Sequence, residues 1–174
     1  DNSDNKCIYL YNTQFGNYDL LPVAYFNNIK SQHINKSYII RNNRIHSNDI
    51  KSGEPIVFGE KSYGQWECVD VSLDPDYFTI ILVLSNGKNT TYTSYNETDF
   101  SLIEVSEWNS MVSKYGIENM NKVMDNLIYK GMPVTLLYLS WGAPQKINSA
   151  SYGDQYVYGN QYVYVEKGVV TSWN

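Results

Sequence analysis

Two cysteines and two histidines are all that this chain of 174 residues offers among the side chains that most often hold metals or attack substrates. Cys7 and Cys68 are too few for a disulfide scaffold and too far apart for a CxxC knuckle. Cys68 falls inside the strand-like run GQWECVDVSL, where a thiol behaves as a small hydrophobe, so a buried free thiol is expected there rather than a bridge. His33 and His46 lie in polar, loop-like stretches and read as solvated surface residues; a metal would need a third ligand beside them. Positive charge is scarce as well. Thirteen Lys and Arg against 18 Asp and Glu leave a net charge of -5, which argues against a phosphate-backbone partner and so against nucleic acid. No segment approaches the ~18 apolar residues of a membrane span. The longest run, YFTIILVL from Tyr77 to Leu84, has the length of a strand. Also missing are a Gly-x-Ser-x-Gly elbow, a phosphate-cradling glycine loop and a Cys-His signature. The expectation is a protein that is not an enzyme, with no catalytic residue, no cofactor and no metal ligand to assign.

Two acidic groupings run against that expectation. Asp70, Asp74 and Asp76 crowd together in DVSLDPDY as calcium ligands would, but the central Gly and final Glu of an EF-hand loop are absent and a hairpin turn accounts for them better. Glu60, Glu67, Asp70 and Glu104 are candidates for a glycoside-cleaving carboxylate pair, which separation in space decides and sequence does not.

What the chain has in excess is tyrosine, 17 residues beside four Trp and five Phe. Tyrosine suits a pleated, half-buried surface whose hydroxyls stay wet, and it also suits binding surfaces. From Tyr38 to Glu104 the sequence reads as short strands, SYIIR, EPIVFG, QWECVDVSL, YFTIILVLS and TTYTSY, separated by DPD and NGKN. This spacing predicts a small antiparallel barrel or sandwich, with an SH3-like barrel as first choice. Alternation in the longest strand puts Phe78, Ile80, Leu82 and Leu84 on one face and Tyr77, Thr79, Ile81 and Val83 on the other, as in a central strand; Asn86-Gly87 then signals a hairpin. Three sequons, at Asn35, Asn89 and Asn96, matter only in a glycosylating pathway.

Near Ser106 the period changes to helical. A short helix is predicted from Glu107 to Tyr115, ended by Gly116, and a second on the stripe Ile117, Met120, Met124, Leu127 and Ile128. Gly131 is read as stopping that helix, Pro133 as opening another of about nine residues, and Gly142 and Pro144 as closing it. Val134, Leu137 and Trp141 would form its packing stripe. The tail is read as a three-stranded sheet drawn from three segments, KINSASY, the hairpin QYVYGNQYVYVE around Gly159-Asn160, and VVTSW after Lys167-Gly168. With two-residue turns, one face carries Tyr156, Tyr158, Val163, Val165 and Val170. The other carries Val157, Tyr162, Tyr164, Val169, Thr171 and Trp173, and neither face looks polar.

The fold class is therefore α+β: a lead-in over 1–25, a β-rich lobe over 26–105, and a two-helix plus three-stranded sheet domain over 106–174. The order Gly131, Met132, Val134, Gly142 and Pro144, followed by Tyr158, Tyr164, Gly168 and Val169, resembles the SmpA/OmlA type of small outer-membrane lipoprotein domain across roughly Ile117 to Asn174. The resemblance implies a fold like that of β-lactamase-inhibitor protein repeats and a non-enzymatic, extracytoplasmic role through protein contacts at the bacterial envelope. Under it, Gly131, Met132, Pro133, Gly142, Pro144, Gly159 and Gly168 are structural positions. The polar opening DNSDNK is expected to be a tether left when an earlier segment is removed, so membrane attachment would require a lipid anchor upstream.

The leading expectation is a protein-interaction module, periplasmic, outer-membrane-attached or secreted. Val157, Tyr162, Tyr164, Thr171 and Trp173 would contact a protein partner, the chain's own amino-terminal lobe or a second copy of the chain. The alternative is a carbohydrate-binding or carbohydrate-processing protein, suggested by the Tyr and Trp content and the scattered carboxylates.

Overall fold

Alternating apolar residues between positions 37 and 104 form a five-stranded antiparallel sheet in the computed structural model, which describes residues 6–12, 17–58, 63–74, 79–95 and 102–174. The chain divides into two units, Asp1–Val105 and Ser106–Asn174. The described residues make an α+β protein of four helices and three antiparallel sheets. Among them no helix is long and apolar enough to cross a membrane.

In the first unit, β3 (Ser37–Arg41), β4 (Tyr63–Asp74), β5 (Thr79–Ser85) and β6 (Thr90–Ser94) form a meander, and β7 (Leu102–Glu104) returns beside β3. The interior position expected for the longest strand is the one β5 takes, between β4 and β6. Ile80, Leu82 and Leu84 are buried while Thr79, Ile81 and Val83 are partly exposed, as alternation required. Tyr77 and Phe78, Pro75 and Asp76 of the expected turn, Glu60, and Asn96 of the third sequon lie outside the described residues. Cys68 is fully buried and free, beside a β-bulge that pushes Val69 outward, and burial raises its thiol pKa to about 11.

Two parts of this unit differ from the sequence reading. Residues assigned to a lead-in form a hairpin of β1 (Cys7–Asn12) and β2 (Asn17–Pro22), and α1 (Val23–His33) follows. In that helix Ile29 is buried in the sheet's core, Phe26 packs against it, and Lys30 reaches Asp70 at 3.5 Å. The described part of EPIVFG, residues 54–58, is not a strand. Pro55 makes only an isolated bridge to Asn48, and the loop dips Ile56 into the core while Val57 faces solvent.

This loop covers the outer edge of β6. His46 N–H donates to Tyr92 O and Ile50 N–H to Thr90 O, both at 2.8 Å, while the Thr91 and Thr93 hydroxyls donate to His46 O and Arg44 O. Asp49 completes the seam, accepting from Thr90 N–H at 2.6 Å and from the Ser52 and Lys51 N–H groups at 2.8 and 3.0 Å. An unpaired strand edge is thereby closed.

In the second unit, helices α2 (Val105–Tyr115), α3 (Ile117–Met124) and α4 (Val134–Trp141) accompany a four-stranded sheet. The sheet is made by β8 (Lys146–Ala150), β9 (Gly153–Tyr158), β10 (Gln161–Glu166) and β11 (Val169–Trp173), in the order β11-β10-β9-β8. The helix read at Glu107 to Tyr115 is α2 and the strand read at KINSASY is β8, so the count of two helices and three strands becomes three helices and four strands, with β8 at the edge beside β9.

Helix α3 stops at Met124, short of the Leu127 and Ile128 assigned to it. Asn126 takes a left-handed φ of 58°, its N–H donates to Val123 O, and Leu127 N–H reaches back to Lys122 O at 2.8 Å. These are the paired bonds of a Schellman termination with Asn in the place usually held by Gly, so Gly131 is not the stop. The exit carbonyls are then occupied by α4, through Trp141 Nε1–H to Asn126 O at 2.8 Å and Ser140 Oγ–H to Leu127 O.

Gly131, Met132 and Pro133 do something else. They run along the free edge of β11, where Gly131 N–H donates to Val170 O at 2.7 Å and Val170 N–H to Met132 O at 2.8 Å. Val134 N–H, which the first turn of α4 leaves without an intrahelical acceptor, donates to Gly168 O at 3.0 Å. Pro133 stands at the N-cap with φ -58°, and Gly142 ends the helix at φ 80°. Within α4 the buried residues are Leu136, Leu137 and Ser140 rather than the stripe Val134, Leu137, Trp141. The sequence VTLLYLSW is apolar nearly all round, so periodicity cannot choose a face.

Met132 is fully buried at the centre of this junction. Met132→Ala is expected to cost ~2–5 kcal/mol of stability, the range for truncating a buried side chain into a cavity. Chemical denaturation followed by fluorescence measures it, and a loss below ~1 kcal/mol would remove the junction from the core.

Candidate functional site

Both turns of the tail take the register expected of two-residue loops, Tyr158 opposite Gln161 and Glu166 opposite Val169. Gly159 supplies one positive φ and Lys167 with Gly168 supply two, 51° and 78°. One face packs inward: Tyr156, Val163, Val165 and Val170 are buried. Tyr156 meets the Tyr138 ring of α4 edge-on at 6.0 Å, and Tyr158 meets Trp141 at 5.4 Å. The Tyr158 hydroxyl donates to Gly142 O at 3.1 Å, and burial raises its pKa. Gln145 Oε1 accepts from Gly159 N–H, and Gln145 N–H, just past Pro144, donates to Val157 O at 2.8 Å. The structural positions Gly142, Pro144 and Gly159 thus lie around one corner where α4 meets the β9–β10 hairpin.

The other face is open to solvent along much of its area. Val157 and Tyr162 are directly opposed on it, and Tyr164, 36 % exposed, is two residues along β10. Thr171 donates its hydroxyl to Tyr164 O at 3.2 Å. Trp173 does not share this face. A register shift beside Tyr164 and Val165 places two β11 residues, Thr171 and Ser172, opposite Tyr164, and pairs Trp173 with Val163 of the inward face. The bonds of Tyr162 N–H to Asn174 O and of Asn174 N–H to Tyr162 O continue the shifted register to the chain end. Of the five residues assigned to partner contact, Val157, Tyr162, Tyr164 and Thr171 are brought together, and Trp173 is turned to the opposite side.

The open face is also more polar than the sequence reading allowed. Strand β8 brings Lys146 opposite Val157 and Asn148 opposite Gln155, so a row Asn148–Gln155–Tyr164 crosses three strands. Asn148 Nδ2–H donates to Gln155 Oε1 at 3.0 Å and Gln155 Nε2–H to the Tyr164 hydroxyl oxygen at 3.1 Å. The signal for this row was the placement of Asn148 and Gln155 at outward positions of paired strands, visible once the strand KINSA is aligned with its neighbour and included in the two faces.

In the first unit the titratable candidates are engaged structurally. His33 is partly buried rather than solvated, its Nδ1 2.8 Å from the Tyr38 hydroxyl and its ring edge-on to Tyr95 at 5.1 Å. His46 is exposed and stacks on Tyr92 at 4.7 Å. Glu104 pairs with Lys36 at 2.9 Å. Among the described residues no group of three or more His, Cys, Asp or Glu is placed to hold a metal ion.

Two of these groups make stability depend on acid. Burial, with Lys36 nearby, lowers the His33 pKa below its ordinary 6.5. The folded state then holds fewer protons at this ring than the unfolded state, so the contribution is whole above pH 6.5 and is lost as pH falls through the lowered value. The Thr90 N–H, followed by Ser52 N–H, lowers the Asp49 pKa from 3.8 to about 2, so its contribution is whole above 3.8 and disappears towards 2. Thermal midpoints across an acid series are expected to fall in two stages, the first flattened by His33→Phe and the second by Asp49→Asn. A profile unchanged by either substitution would contradict the assignment.

No protein-family model matches the chain, and no curated protein or solved structure matches it.

Proposed function

We propose that this protein is a non-enzymatic interaction module of the bacterial cell envelope or exterior, whose second unit is a SmpA/OmlA-type domain and contacts a protein partner through the open face of its sheet. The observation that carries the reading is the cross-strand pair Val157–Tyr162 with Tyr164 beside it, an aromatic patch on the face opposite α4. Tyrosine on a rigid strand offers contact area with few rotatable bonds to freeze, and interface centres favour it for that reason. The resemblance is supported by the roles of its positions: Gly131, Met132 and Gly168 form the edge seam, Gly142 ends α4, and Tyr158 bonds to it. In the same reading the first unit is an SH3-like small barrel, supported by a four-stranded meander to whose first strand β7 returns. Attachment to a membrane would come from a lipid upstream of Asp1.

The test is the pair of variants Tyr162→Ser and Tyr164→Ser, followed by cross-linking in the source organism. Loss of one discrete cross-linked species is expected, with stability lowered by no more than ~1 kcal/mol for these surface positions. A species of twice the chain's mass would identify the partner as a second copy. Cross-linking that survives both substitutions would remove this face from the function.

A further inference from the structure

Beside the aromatic patch the open face sinks into a depression of about 300 Å³, walled by all four strands and by the turn carrying Tyr152. Gly153 is part of its lining. A Cβ there would lie 2.7 Å from Val165 O and 2.9 Å from Glu166 Cγ, so β10 approaches β9 more closely than any side-chained residue would permit. The row Asn148–Gln155–Tyr164 forms one wall. Its two internal hydrogen bonds orient both amides and leave, for a ligand, one N–H on each amide, the Asn148 Oδ1 acceptor and the Tyr164 O–H donor. These groups stand on strands ~4.8 Å apart.

The charge of the lining narrows the ligand. No lysine or arginine contributes to it among the described residues, whereas Asp154 and Glu166 do. A phosphate, sulfate or carboxylate would meet acidic side chains and no cation. Among the described residues no group of three or more His, Cys, Asp or Glu is placed here to hold a metal ion. Hydroxyl groups both donate and accept, and match a mixed row. At the rim the ring of Tyr152 is 81 % exposed, a flat apolar surface beside a polar wall. That pairing of an aromatic face with a few converging polar groups suits the C–H face and hydroxyl edge of a sugar ring. The volume is at the small end of ligand sites and fits a single sugar unit.

We propose that this depression binds one unit of a neutral saccharide, stacked on Tyr152 and hydrogen-bonded by Asn148, Gln155 and Tyr164, with Glu166 accepting from a further hydroxyl. The site shares Tyr164 with the protein-contact patch, but Gln155 and Tyr152 belong to it alone and Val157 and Tyr162 to the patch alone, so variants at those positions separate the two readings.

The full chain is screened on a glycan array and titrated calorimetrically with cellobiose, lactose and N,N′-diacetylchitobiose, with sodium glucuronate and sodium phosphate as anionic controls. At least one neutral saccharide is expected to bind and the anions are not. Gln155→Met and Tyr152→Ser should each weaken that binding about tenfold, the effect of removing one or two ligand contacts. Their thermal midpoints should match the parent, and Tyr162→Ser should leave saccharide binding unchanged. Absence of binding across the neutral glycans, tighter binding of glucuronate or phosphate, or binding indifferent to both Gln155→Met and Tyr152→Ser would overturn the proposal. None of these results would alter the cross-linking expected of Tyr162.

Discussion

The second unit depends on a short antiparallel seam in which the backbone of Gly131 to Val134 pairs with the outer edge of β11. Without it, the first N–H of α4 and the Val170 amide would lose their acceptors, and β11 would present an open edge. The seam also fixes where α4 starts relative to the sheet. A helix of eight residues is too short to recover its own nucleation cost in water, so its position must be imposed from outside. Met132, fully buried, holds the seam from the inside, and Trp141 and Ser140 secure the far end of α4 to the exit of α3.

The first unit meets the same constraint with different chemistry. Its sheet would end at β6, and the loop from Arg44 to Ile56 closes that edge with carbonyls, threonine hydroxyls and the Asp49 carboxylate. A carboxylate accepting several N–H groups is stabilised in its charged form, which is why acid is expected to loosen this loop. Both units thus finish a sheet with an irregular segment, tied down in the second by main-chain bonds alone and in the first by main-chain bonds together with hydroxyl and carboxylate groups.

Much of this architecture was legible in the sequence, and the failures have physical causes. Strands β3 to β6 and the tail hairpins announce themselves by alternation and turn residues, and their register follows from loop length. Helix α1 was missed because VAYFNNIKSQH buries only Ile29 and therefore carries no stripe. The end of α3 was misplaced because Asn126 adopts the left-handed conformation that a reader looks for at Gly131. His33 seemed a surface residue because the rings that enclose it, Tyr38 and Tyr95, are distant from each other along the chain.

The site shows the same division. Val157, Tyr162 and Tyr164 share a face because strict alternation reaches them without interruption from the β9–β10 turn. Trp173 does not, because one extra residue in β11 reverses every assignment beyond it, and a bulge leaves no mark on a pattern of period two. The consequence reaches past one tryptophan. With Trp173 on the inward side and Asn148 and Gln155 on the outward side, the open face carries Tyr162 and Tyr164 beside a row of amides that hydrogen-bond to one another and to Tyr164. A face of continuous apolar residues would demand permanent cover. This one mixes apolar rings with hydrogen-bonded amides, and that mixture is what the proposed protein contact rests on.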